Sequence, residues 1–81
     1  MAKKNTDNDN SEAFLKALGQ HIKMKRVEKG LSAAEFARRT DMERSHIARI
    51  ETGNTNPTAT TIKILCDALE LTFEEFFDGF H

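Results

Sequence analysis

The stretch Leu31-Ser-Ala-Ala-Glu-Phe-Ala-Arg-Arg-Thr-Asp-Met-Glu-Arg-Ser-His-Ile-Ala-Arg-Ile-Glu-Thr-Gly53 decides how this chain is read. Ser32 is a favourable helix N-cap and Glu35 follows three residues later, the spacing of a capping box in which each side chain satisfies a free backbone amide of the other. Phe36 and Ala37 then face inward while Arg38 and Arg39 face water. Thr40 and Asp41 interrupt the period, and Asp is one of the few non-glycine residues that tolerate a left-handed backbone at a helix end, so a turn is expected there. From Arg44 a new helical period begins, with Ile47 and Ile50 on one face and Arg44, Ser45, His46 and Arg49 on the other. Gly53 closes it, in the position where helix C-termini favour glycine. The spacing therefore predicts two short helices joined by a tight polar turn.

Neither helix can stand alone, because an isolated helix of under about 12 residues is marginal in water. The flanking sequence has to supply a scaffold. Upstream, Met1 to Asn10 is polar, without an apolar period, and reads as a disordered tail whose Lys3 and Lys4 are solvated. Ser11 is then the expected cap of a helix running to about Lys29 and stopped by Gly30. Its inward residues are read as Phe14 or Leu15, Leu18, Ile22 and Val27, with His21, Lys23 and Lys25 outward. Gly19, costly inside a helix, implies that another helix packs close.

Downstream, Asn54-Thr-Asn-Pro57 is a loop dense in turn formers. Thr58 caps a fourth helix whose core face is Ile62, Leu65, Cys66 and Leu69. Thr72 with Glu75 makes a second capping box, and Phe73, Phe76, Phe77 and Phe80 load the last helix with aromatics. Five short helices with brief connections and no strand signal describe a compact all-α domain over residues 11–81. Four Phe in nine residues exceed what one short helix needs for its own core. Phe77 and Phe80 are accordingly read as a dimer interface, with all four packing within the chain as the alternative.

The 81 residues make room for one domain, and a chain of this size buries only about 60% of its unfolded surface, so dimerisation would add stability. No apolar run approaches the roughly 20 residues needed to cross a bilayer, and the polar N-terminus lacks the apolar core of a secretory signal. A cytoplasmic setting is expected. The single cysteine, Cys66, reads as a small buried hydrophobe; a redox link between chains would need an exposed thiol of low pKa. His21, His46, His81 and Cys66 form no metal-ligand spacing, and there is no glycine-rich phosphate loop. No enzyme, metal, cofactor or small-molecule substrate is expected.

The net charge of −1 conceals a division along the chain. His21 to Gly53 holds eight Lys and Arg against five acids, a balance of +3, whereas Asn54 onward holds one Lys against five acids, a balance of −4. Such polarity can orient a protein toward an anionic partner.

Taken together and in order, Leu18-Gly-Gln-His-Ile22, Arg26, Gly30-Leu-Ser32, Phe36-Ala37, the Ile47 to Gly53 helix end, Asn56-Pro57-Thr58, and Leu69 through Phe77 resemble the Cro/C1-type helix-turn-helix family, lambda-repressor-like regulators of phage and bacteria. The resemblance covers roughly Leu18 to Phe77. It implies a five-helix DNA-binding domain whose second motif helix, Arg44 to Thr52, lies in the major groove of double-stranded DNA. Carried over residue by residue, Arg44, Ser45 and Arg49 occupy base-reading positions with His46 beside them, and either Arg can bond guanine O6 and N7 together. Phosphate would be held by the amides at the start of the Ala33 helix, by Ser32, and by the loop residues Thr52, Asn54, Thr55 and Asn56. Arg26 and Glu51 match positions that form an ion pair tying the first helix to the third.

Three positions depart from the family pattern. Ala33 replaces a Gln that would reach phosphate, Asp41 stands where glycine is usual, and Glu43 caps the reading helix. Glu is a mediocre cap whose charge nonetheless suits a helix N-terminus. The family binds as a two-fold dimer with half-sites about 34 Å apart, which implies a homodimer on a palindromic operator, acting as a repressor. The rival reading is a protein-binding module of the same fold, such as an antitoxin or anti-repressor, with the C-terminal aromatics as the surface for a protein partner.

Overall fold

The structure, a computed structural model, describes the backbone of residues 3–80 and the side chains of residues 11–80. Five α-helices follow one another: α1 Lys3–Glu28, α2 Ala33–Thr40, α3 Arg44–Glu51, α4 Ala59–Leu69 and α5 Phe73–Phe77. No strand occurs among the described residues, as the all-α reading expects.

The first helix begins earlier than its sequence suggests. Lys3 to Asn10, expected as a disordered tail, continues α1 upstream, and Ser11, expected as its cap, lies inside it; Met1 and Ala2 fall outside the described residues. Once the segment after Ser11 is helical, each residue added upstream gains a hydrogen bond without a new nucleus.

Two further corrections concern which face of α1 is buried. Leu18, Ile22 and Arg26 are buried at intervals of four, but Val27 is 58% exposed. At about 100° per residue, position 27 lies some 140° round the helix from Ile22, whereas position 26 lies only about 40° away. The core therefore takes the arginine and leaves the valine in water. Of the pair Phe14 or Leu15, Leu15 is half-buried and Phe14 exposed.

His21, expected to point outward, is 6% exposed. Its ring lies edge-on to Phe76 and parallel to Phe77, with Phe80 at 5.0 Å between centroids. Its Nε2 donates to the Phe76 carbonyl oxygen, which fixes the tautomer because a carbonyl can only accept. α5 thus covers a flank of α1 that periodicity alone left to solvent.

Local signals place the other helix ends. Ser32 Oγ accepts from the Glu35 amide at 3.0 Å, but the reciprocal half of the expected box is missing, and the Glu35 carboxylate lies 3.9 Å from Arg38 instead. Thr72 and Glu75 form both halves, at 3.0 and 2.9 Å, and Thr58 caps α4 by accepting from the Thr61 amide. Asp41 closes α2 at φ 58°, the left-handed conformation expected of it, and Glu70 does the same for α4 at φ 59°. Glu43 makes no side-chain cap bond to α3.

The core joins Leu18 and Ile22 of α1, Phe36 of α2, Ile47 and Ile50 of α3, Ile62, Leu65, Cys66 and Leu69 of α4, and Phe76 of α5. Cys66 is buried as expected. Burial pushes its thiol up from the ordinary range, and the neighbouring Asp67 adds to the shift, so it stays protonated and behaves as an apolar group.

α1 crosses the C-terminal end of α3 at close range. A Cβ on Gly19 would stand 2.5 Å from the carbonyl oxygens of both Ile50 and Glu51. Beside this contact, Arg26 Nε donates to Glu51 Oε2 at 2.7 Å and Nη2 to Oε1 at 3.1 Å, while Nη1 donates to the Leu31 carbonyl at 2.7 Å. Both partners are buried, and the three bonds join α1, α3 and the connection into α2.

Two stability predictions follow from this junction. Gly19→Ala drives a methyl into backbone atoms that cannot rotate away, and should cost about 1–3 kcal/mol, read as a lower denaturant midpoint. Glu51→Ala leaves the Arg26 guanidinium buried without its counter-ion and should cost about 3–5 kcal/mol; an unchanged melting temperature would contradict the role given to the pair.

Candidate nucleic-acid interface

α3 presents two unlike faces. Ile47, Ile50 and Glu51 are buried, and the opposite arc carries Arg44, Ser45, Ala48 and Arg49, all exposed. His46 is half-buried at the edge of that arc. The structure therefore brings three of the four expected base-reading residues onto one open surface and sets the fourth partly into the body. Ala48 lies among them and was passed over in the sequence, since an alanine carries no polar signal; its methyl would suit contact with an apolar base edge.

Neither Arg44 nor Arg49 forms an ion pair among the described residues, in contrast to Arg38. Their guanidinium groups are free to engage an anion or a planar acceptor pair without first breaking a bond. Glu43, just before them, is exposed and likewise unpaired.

At the start of α2, the Ser32 cap satisfies the Glu35 amide and the Ser32 carbonyl accepts from Phe36. The amides of Ala33 and Ala34 have no acceptor among the described residues. Two free N–H groups at the positive end of a helix dipole suit a phosphate oxygen. Ala33 has only its backbone to offer there.

The loop after α3 is less uniform than its sequence suggests. Asn54 and Asn56 are exposed and Thr55 is half-buried. Thr52 is exposed, but its hydroxyl donates back to the Ala48 carbonyl at 2.9 Å, so a phosphate contact from that proton requires the side chain to turn. The Asn54 amide donates to the Arg49 carbonyl at 2.8 Å, which folds the loop against the end of the helix.

The C-terminal aromatics divide. Phe76 is fully buried, whereas Phe77 and Phe80 are half-buried against His21, and the Phe80 ring also meets that of Phe14 at 5.8 Å. Much of the surface expected to meet a second copy is thus turned onto the chain's own α1. Phe73, at 46% exposure, is the most open of the four. Among the described residues no cluster of His, Cys, Asp and Glu could hold a metal ion, and no helix is long and apolar enough to cross a membrane.

A comparison with known proteins places this geometry. The helix-turn-helix family model HTH_3 matches residues 22–76. The crystal structure of the restriction-modification controller protein C.AhdI from Aeromonas hydrophila superposes with a TM-score of 0.76 at 32% identity, over 80% of this chain and 98% of that one. The controller protein C.Esp1396I, crystallised as a tetramer with its natural 35 base-pair operator, gives a TM-score of 0.75 at 28% identity, over 80% of this chain and 86% of its own. An HTH_3 family transcriptional regulator from Vibrio cholerae gives 0.77 at 28% identity, over 84% of this chain and 38% of its own. No functionally curated protein matches the chain by sequence. With a family model spanning more than half its length, and a solved relative at 32% identity aligned over four-fifths of it, the chain belongs to the HTH_3 family of Cro/C1-type helix-turn-helix proteins, DNA-binding regulators of transcription.

Proposed function

We propose that this protein binds a palindromic operator as a homodimer, lays α3 in the major groove, and acts on transcription by occluding the operator, as a repressor. The observation that carries the reading is the division of α3, whose apolar face is locked into the core while its unpaired arginines stand on an open surface. Arg44 and Arg49 are the candidates for guanine, Ser45 reads bases less selectively, and His46 lies at the edge of the reading surface. Ser32, the amides of Ala33 and Ala34, and the loop residues Thr52, Asn54, Thr55 and Asn56 hold the flanking phosphates and set the register of α3 on the duplex.

The solved tetramer of C.Esp1396I on its operator supports an oligomer on DNA. In this chain the copies meet through the C-terminal aromatics, with the outer edges of Phe77 and Phe80 as interface residues. Two copies related by a two-fold axis would then need their α3 helices about 34 Å apart, one helical turn of DNA, to enter successive major grooves.

Selection from random duplexes followed by fluorescence-anisotropy titration tests the reading. Binding should weaken steeply as salt rises, because each lysine or arginine seated on phosphate releases counter-ions. Arg44→Ala and Arg49→Ala should each cost roughly 1–3 kcal/mol and relax one base position, whereas loss of a phosphate contact should weaken all sequences alike. A flat salt response would point to a protein partner instead. Sedimentation should show a dimer on the selected site, and a monomer both free and bound would refute the two-fold arrangement.

A further inference from the structure

We propose that Lys16, on α1, is an additional phosphate contact held beside the loop that follows α3; the inference rests on the DNA-binding reading above. The side of α1 that crosses α3 is the side of Gly19 and, one turn earlier, of Lys16. A Cβ on Gly53 would stand 2.8 Å from the Lys16 Cα and 2.9 Å from its backbone nitrogen. Only the missing side chain of Gly53, at φ +81°, lets the two backbones come this close. Lys16 is therefore rooted on rigid helix directly against the turn between Thr52 and Asn54, the loop read as gripping the DNA backbone.

Its electrostatic setting points the same way. Lys16 is exposed and forms no ion pair among the described residues, although Glu12 stands four positions before it on the same helix. The carboxylate nearest to that junction in sequence, Glu51, is buried and already bonded by Arg26. Arg49 is likewise unpaired among the described residues, so Lys16 and the end of α3 present two cations without an ion-pair partner. A lysine on a flexible four-carbon stem can follow a phosphate without demanding a fixed angle. Lys23 and Lys25, farther along α1, lack this placement: Lys25 lies 3.9 Å from Glu28, and Lys23 lies with Met24 and Val27 on the exposed outer face of the helix. Sequence reading gave Lys16 no role because nothing local marks it; its position depends on a contact with a residue 37 places later in the chain.

The test is a salt titration of the full chain on a labelled mixed-sequence duplex, since a phosphate contact does not depend on base sequence. Lys16→Gln should make the slope of log K against log salt shallower by about 0.9 per bound protomer. Lys16→Arg should restore the wild-type slope. Lys63→Gln, which removes an equal charge from the Lys63–Asp67 pair on α4, should leave the slope as it is. All three should melt as the unsubstituted protein does, being changes of exposed side chains. If the unsubstituted protein binds with a steep slope and Lys16→Gln matches it, Lys16 is only a solvated lysine and this inference alone fails. If the unsubstituted protein binds no duplex at any salt, the DNA-binding reading fails and takes the inference with it.

Discussion

α3 is eight residues long and has no side-chain cap at its N-terminus, so little within the helix holds its direction. Its bearing depends on how its C-terminal end is fixed to α1. There Glu51 receives two hydrogen bonds from Arg26, and the last carbonyls of the helix press onto Gly19. The third bond of Arg26, to the Leu31 carbonyl, ties the entry of α2 to the same point. One buried guanidinium thus sets the mutual geometry of three segments, and a planar fork with five donors in fixed directions can do this where a lysine could not.

Burying an ion pair is seldom the cheapest way to gain stability, because the desolvation of both partners offsets most of their attraction. Its use here is directional. Ile47 and Ile50 hold α3 against the core, but apolar contacts do not resist rotation as sharply as a bidentate bond. Neither Arg26 nor Glu51 leaves a buried side-chain polar atom unsatisfied, and no such side-chain atom occurs among the described residues. The pair therefore orients the helix without adding an unpaired charge to the core.

The same junction divides the molecule electrically. Arg26 and Glu51 neutralise one another inside, which leaves Arg44 and Arg49 as the free cations of the outer face of α3. Most acids of the C-terminal third lie elsewhere, on α4 and α5 and their connection. The overall charge near zero is therefore no guide to the local field at α3. The aromatic cluster around His21 serves a separate end: it attaches α5 to α1 and leaves Phe73 exposed and only the outer parts of Phe77 and Phe80 open.

The features readable in the sequence are those whose causes lie within about four residues along the chain. The caps at Ser32, Thr58 and Thr72, the left-handed Asp41, the stop at Gly53 and the opposed faces of α3 are of this kind, because each is decided by hydrogen bonds or side-chain spacing inside one turn of helix. These were enough to outline five helices and to mark Arg44, Ser45 and Arg49 as an exposed set. Decisions between distant segments needed the tertiary structure. Burial of His21 follows from where α5 lands, and the period of a helix cannot say which flank of its core stripe will be covered. The seating of Lys16 on Gly53 likewise depends on two residues that become neighbours only when the chain has folded. Thr52 turning back to Ala48 and Glu35 lying toward Arg38 are instead local contacts that compete with equally local alternatives, so spacing alone does not choose between them.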